Sequence, residues 1–447
     1  MRIFPTRELS SKIFTLASPA IAGLSTQMFV SVVDAAMVGR LDEVALAAMG
    51  VGFLAIWVVT SFFSSFSTGT QTLVSRRVGE GNTVACASVL NNSIMVAFVL
   101  GSILGYIGWQ FSYEISLPFS STTEVARDCA SYLEWRFVGI PFFLVTVAYR
   151  GFFFGVSDTK IFMFSSILVN VANIVLNYCL IFGNFGFPRM ELAGAALATT
   201  IATALGALYF FLASLRKNFR VRFQLFHHWK IRFDLILSLV KISLPVSFQY
   251  LFILFGFLTF LAIIGTLGTL QQAASQTVIT AILMGFLPSQ GFGIAASTLV
   301  GQNMGNGNHT LAERYGFESA RLGFFFMAAI GILFIAIPDY VLYLITDNRA
   351  VIETARIPLR IVGASQAFYA VGIVLATALQ GAGATIFVMF ADIICNWIVF
   401  IPLAYLFGIV LHGGINGAWL SLPFYLILYS GLMVWRFKHG AWKFVKV

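Results

Sequence analysis

Charge is scarce in this sequence. Only 10% of its 447 residues are Asp, Glu, Lys or Arg, against roughly 25% in a soluble domain, so an ordinary water-soluble fold is excluded. Cysteine is nearly absent: Cys86, Cys129, Cys179 and Cys395 lie far apart without a C-x-x-C spacing, which argues against both a zinc site and a disulfide framework. The five histidines (His227, His228, His309, His412, His439) fall in loops or tails and lack the spacing of a zinc protease. No G-x-x-x-x-G-K-[ST] occurs, so pumping would have to draw on an ion gradient rather than on nucleotide hydrolysis. "GFGIAA" (Gly291 to Ala296) imitates a dinucleotide loop, but it lies inside an apolar run, where close helix packing explains it better. No cofactor is called for.

What the chain has instead is apolar surface: 59% hydrophobic residues and a mean hydropathy of +0.89. A spanning helix needs ~20 apolar residues. Apolar segments run at about 14–38, 46–73, 86–110, 128–152, 160–183, 192–215, 236–264, 273–300, 314–338, 356–380, 386–408 and 414–435. These twelve segments predict an all-α integral membrane protein. If the N-terminus is cytoplasmic, 20 of the 27 Lys and Arg residues fall in the tails and in the loops after even-numbered spans. The positive-inside rule therefore places both termini in the cytoplasm, in a cell (inner) membrane. The net charge of +9 is a topology signal, and no nucleic-acid partner is expected.

An internal repeat organises the spans. "TLVSRRVGEGN" (Thr72 to Asn82) lies over "TLVGQNMGNGN" (Thr298 to Asn308), and the same offset of 226 carries Pro19 onto Pro245, Gly39 onto Gly265, Gly155 onto Gly381 and Asn170 onto Asn396. Arg2, Arg7 and Lys12 before an apolar run resemble a signal peptide, but the internal counterpart of Pro19 argues that the first span is retained. Six spans per repeat predict two six-helix lobes related by a pseudo-two-fold axis along the membrane normal, around a central cavity. The expected domains are an N-terminal lobe (1–214), a basic cytoplasmic linker (215–234) and a C-terminal lobe with a short tail (235–447). Two readings of the linker stand open, an amphipathic segment on the anionic inner leaflet and a plain solvated connection.

Of the 18 acids, only Asp34 and Asp392 fall well inside apolar segments. An intramembrane acid costs roughly 2.5–3.5 kcal/mol on insertion scales and tends to mark an ion or proton pathway. Asp34 maps onto Phe260 in the repeat, so this carboxylate belongs to one half alone, which argues against a purely architectural role. Asn173 and Asn177 share a face of the fifth span at i, i+4, with Asn170 one turn earlier, and Thr199 and Thr200 follow in the sixth. Their oxygens suit either a proton-loaded acid or Na⁺ at Asp34, Asn173, Asn177 and Thr199, with H⁺ favoured because a second acid is missing. Asp392 shares a face with Asn396 near the cytoplasmic end of its span, where snorkelling or helix packing is the expected role and ion coupling the secondary one. Pro19, about four turns before Asp34, removes a backbone hydrogen bond and offers a hinge.

"VVDAAMVGRLDEVALAAMG", "RGFFFGVSDTK" and "NIVLNYCLIFGNFGFPRMELAGAALAT" together resemble the multidrug and toxic compound extrusion (MATE) transporters, near their DinF-like branch. The resemblance covers nearly the whole chain. It implies an antiporter exporting small lipophilic, often cationic compounds in exchange for H⁺ or Na⁺, acting as a monomer among membrane lipids. It also implies that Asp34, Asn173, Asn177 and Thr199 form the coupling site and that Pro19 is the point of bending. The chain departs from some relatives, with Asn177 where they have a second acid and Ile253 near another acid's place. Two rivals are a flippase for lipid-linked saccharides, which would want basic residues deep in the spans, and a membrane-embedded transferase, which would want acids or histidines clustered at the surface. Neither feature is present in the sequence.

Overall fold

A computed structural model describes residues 7–226 and 229–445. Arg2, His227, His228 and Lys446 lie outside them. The elements are α1 (Arg7–Val38), α2 (Glu43–Gly79), α3 (Thr83–Gln110), α4 (Ser112–Ser116), α5 (Thr123–Val138), α6 (Ile140–Gly155), α7 (Thr159–Phe182), α8 (Glu191–Ser214), α9 (Lys217–Phe223), α10 (Phe233–Gly265), α11 (Thr269–Gly305), α12 (His309–Ala336), α13 (Pro338–Tyr343), α14 (Arg349–Gly381), α15 (Thr385–Ile394), α16 (Ile401–Tyr405) and α17 (Gly414–His439). Among the described residues no β-strand occurs. Every carbonyl of a spanning segment must find its partner within the segment, and only a helix achieves that without a neighbour.

Ten helical stretches are long and apolar enough to cross a membrane, including the run Thr385–Val410, and the pair α5–α6 makes an eleventh. With the 32-residue α1 these are the twelve segments expected from hydropathy. The fourth span is broken, bending by 45° between Val138 and Ile140. The cause is local: Pro141 has no N–H to continue the ladder, so a new helix starts with proline in its first turn. The eleventh span is also irregular. After α15 the backbone widens into a π segment over Cys395–Phe400, returns to α16, and widens again over Leu406–Val410.

The helices group into two units. One comprises Ala22–Ser247; the other joins the first 21 residues to Phe248–Val447. Both changes of unit fall two residues after the repeat prolines, Pro19 in α1 and Pro245 in α10.

In the first unit, α2 lies along α6 and α7 along α8. Small residues permit the approach: a Cβ on Gly151 would come 2.5 Å from the Ser67 carbonyl, and one on Gly101 2.7 Å from Pro141 Cα. The opening of α10 belongs here, with Ser247 Oγ 2.6 Å from Ser65 Oγ. So does the basic connector, which is not a free linker. Phe219 and Phe223 of α9 meet Phe153 and Phe152 edge-on with ring centroids 5.4 and 5.6 Å apart. Asn92 then clamps the far end, donating to Lys230 O at 3.1 Å and accepting from Arg232 N at 2.9 Å.

In the second unit, α11, α12 and α14 pack together and α17 closes on α14. The opening of α1 contributes to this core: Ile13, Leu16 and Ala17 are buried with Phe292, Ala295 and Ala296. The "GFGIAA" stretch serves packing, because a Cβ on Gly291 would collide with the Ile21 side chain. Beyond α17, Trp442 stacks on Phe437 with centroids 4.7 Å apart, and Lys443 pairs with Glu313 at 2.6 Å.

Candidate functional site

Asp34 sits one turn before the end of α1 and is half-buried. Its Oδ1 accepts from Asn177 Nδ2 at 2.5 Å. The same amino group donates to Asn173 Oδ1 at 3.2 Å, and Asn173 Nδ2 donates to Thr199 Oγ1 at 3.0 Å. Thr199 completes the row by donating to Ala195 O, 3.0 Å away and one turn back along α8. A row of four polar side chains on α1, α7 and α8 therefore runs from the half-buried carboxylate through two buried amides to a half-buried hydroxyl. The i, i+4 spacing of Asn173 and Asn177 puts both amides on the α7 face turned toward α1 and α8. Asn177 is fully buried and its Oδ1 has no hydrogen-bond partner.

The structure brings together the four residues singled out from sequence and adds Arg136, which sequence reasoning missed. From α5 the Arg136 guanidinium lies near enough for its charge to act on Asp34, although the two form no ion pair within 4 Å. Arg136 and Glu134 are two apart on α5, and residues two apart on a helix point different ways. Glu134 is exposed and makes no ion pair among the described residues.

The secondary candidates fare differently. Asn170 and Asn396, equivalent in the repeat, are both buried, each with one polar atom unpartnered (Nδ2 and Oδ1), and Asn170 does not join the Asp34 row. Asp392 is not a snorkelling side chain: it is 3% exposed and held by Gln249 and Tyr425. Asn396, one turn on, is buried too, and both side chains face α10, Asp392 at Gln249 and Asn396 at Gly256. Glu318, placed at a span end from sequence, is also buried and pairs with Arg321 at 2.8 Å. Pro19 lies inside α1, which continues helical through it.

Groups of three or more His, Cys, Asp or Glu able to hold a metal ion are absent among the described residues. The site is thus one acid with neutral amide and hydroxyl company. It can bind a cation or take up a proton, and it offers no nucleophile with a base.

Comparisons with known proteins agree with this. The chain is 27% identical over 441 residues, 98% of itself and 94% of the relative, to the probable multidrug resistance protein NorM of Thermotoga maritima. It is 30% identical over 437 residues, 95% of itself and 92% of the relative, to the probable multidrug resistance protein NorM of Burkholderia mallei. Its fold superposes on a MATE crystal structure in complex with MaL6 with a TM-score of 0.90 at 18% identity, covering 97% of each chain. The MatE family model matches twice, over residues 19–179 and 245–406. The starts of those matches, Pro19 and Pro245, are counterparts at the repeat offset of 226. This is a multi-pass membrane protein with the MATE fold, and the chain belongs to the MatE family of membrane transporters.

Proposed function

We propose that the chain exports lipophilic, often cationic compounds in exchange for protons, with Asp34 as the group for which cargo and coupling ion compete. One observation carries the reading: a half-buried carboxylate heads a row of polar side chains and forms no ion pair with any described residue. A cationic compound gains from the ionised form, and a proton removes that gain. Affinity for the cation then falls as pH falls, by at most about tenfold per pH unit for one shared proton. The names of the NorM relatives support multidrug cargo.

The second reading is Na⁺ in place of H⁺, which the unpartnered, buried Oδ1 of Asn177 favours as a spare oxygen ligand. We rank it behind H⁺ because the Asn177 amino group, a donor, is what faces Asp34. A flippase for lipid-linked saccharides has less support, since no described Lys or Arg faces Asp34 at ion-pair distance. We further assign the chain to the DinF-like branch, the lobes to 1–214 and 235–447 with the linker between, both termini to the cytoplasm of an inner-membrane monomer, and the accompanying motion to bending of α1 at Pro19.

The test is transport of a fluorescent lipophilic cation in proteoliposomes under an imposed pH gradient without Na⁺. Wild type should transport, and Asp34→Asn should lose transport while keeping its melting temperature. Strict Na⁺ dependence would favour the second reading, and full activity of Asp34→Asn would remove both. Spin-label distances between α1 and α7 at low and high pH test the bend; one unchanging distance would make Pro19 architecture alone.

A further inference from the structure

The unit that includes α11–α17 has its own carboxylate, and the Asp34 reading leaves it unused. Asp392 lies seven residues from the start of α15, roughly 10 Å along the helix. Three other helices converge on it. Gln249 of α10 donates from Nε2 to Asp392 Oδ2 at 2.7 Å, and Tyr425 of α17 donates to Oδ1 at 2.9 Å. Gln380 of α14 donates from Nε2 to Gln249 Oε1 at 3.0 Å, which fixes the Gln249 amide with its amino group facing the acid. Gln249, Gln380 and Asp392 are 3%, 5% and 3% exposed.

We propose that Asp392 is a second proton-binding site, separate from the Asp34 row and complete within this unit.

Three observations carry it. First, among the described residues no cation pairs with the acid. The titratable groups facing it are Tyr369 of α14, Tyr425 and Tyr429 of α17 and Cys395 of its own span, with Tyr250 of α10 beside Tyr369; none bears positive charge at neutral pH. The other buried acid of this unit, Glu318, does have a cation, Arg321. A buried charge met only by neutral donors is costly, and taking up a proton removes it. If helix packing were the sole need, an amide would serve, and the chain already uses amides at Gln249 and Gln380.

Second, the cluster is not a legacy of the repeat. At the offset of 226, Asp392 falls on Ser166, Gln249 on Gly23, Gln380 on Phe154 and Tyr425 on Thr199, so none of its polar partnerships exists in the other half. Third, the aromatic cluster around the acid holds a hydroxyl that makes no hydrogen bond. A protonated Asp392 must donate its O–H, and the Tyr429 hydroxyl, one turn from Tyr425 and 4% exposed, has no hydrogen-bond partner. The π segment that begins at Cys395, directly after α15, adds a local widening of a kind frequent at functional sites.

The ligand is a proton rather than a metal cation, because both carboxylate oxygens face donor hydrogens where a metal would need oxygen ligands.

Infrared difference spectra over a pH titration, in Na⁺-free buffer on the purified full chain, provide the test. Asp34→Asn leaves Asp392 as the remaining membrane-buried, unpaired acid; its spectrum should show a carboxylic-acid carbonyl band that comes and goes with pH. The band should vanish in Asp34→Asn/Asp392→Asn. In Asp34→Asn/Tyr425→Phe, which keeps the ring and removes one donor, it should persist at a shifted frequency, a change that lost packing alone would not produce. Identical spectra for the first two variants, a band that never titrates, or a response to Na⁺ in place of pH would overturn the proposal. The Asp34 assignment is read separately, from the band that remains in Asp392→Asn alone.

Discussion

Asp34 and Phe260 stand at equivalent places in the internal repeat, yet one is a half-buried acid joined to Asn177 and the other is a fully buried ring. Phe260 lies 5.0 Å from both Phe400 and Trp419, ring centroid to centroid, and fills with carbon the space that its counterpart leaves to polar groups. The two copies have therefore diverged from a polar to an apolar environment at this position.

It follows that an acid cannot simply be transplanted. Phe260→Asp should destabilise the protein by at least about 3–5 kcal/mol, since it removes a large buried ring and strands a carboxyl among aromatics. Phe260→Leu should cost far less. Thermal unfolding in detergent checks the pair, and a stable, well-expressed Phe260→Asp would show that the pocket is wetter than its packing implies.

The connector gives a second prediction. Phe223 is 1% exposed and anchors α9, so Phe223→Ala should release it at a cost of about 3–5 kcal/mol locally. Asn92→Ala, which removes two hydrogen bonds to the connector backbone, should cost about 1–3 kcal/mol. Limited proteolysis between 216 and 232 reads both: each variant should be cut faster than wild type, Phe223→Ala most. Equal rates would return this segment to a plain solvated linker.

Packing at the start of α1 gives a third. Gly291→Ala drives its methyl carbon into Ile21 Cγ1, so Ile21 must move, and destabilisation of about 1–3 kcal/mol is expected. Adding Ile21→Ala should recover part of that loss. Non-additive melting temperatures across the double-mutant cycle would establish the contact, and strict additivity would argue against it.

The spans were legible because hydropathy over ~20 residues is a strong, local signal. The Asp34 row was legible for a related reason: Asn173 and Asn177 announce a common face by spacing, and an acid in an apolar run needs company. What escaped was whatever depends on distant partners. Nothing in the residues near Asp392 points to Gln249 or Gln380, which reach it from other helices, so its company looked like isolated polar residues. Arg136 escaped for the same reason, since it comes to the surroundings of Asp34 from another helix. The break before Pro141 carried a legible cue, whereas the two π segments in the eleventh span carried none, for one residue more or less per turn leaves the apolar pattern almost unchanged.

The change of unit after Pro19 and after Pro245 has a consequence for ancestry. Each half of the chain lends the leading arm of its first helix to the unit formed by the other half's remaining helices. A six-helix ancestor built this way would have left its own arm without a bed and its own bed without an arm. Two copies would have had to trade arms before either was complete. Gene fusion would then have made permanent a partnership that the single copy already required, and once the two copies were tied together, one could keep an acid where the other settled for a ring.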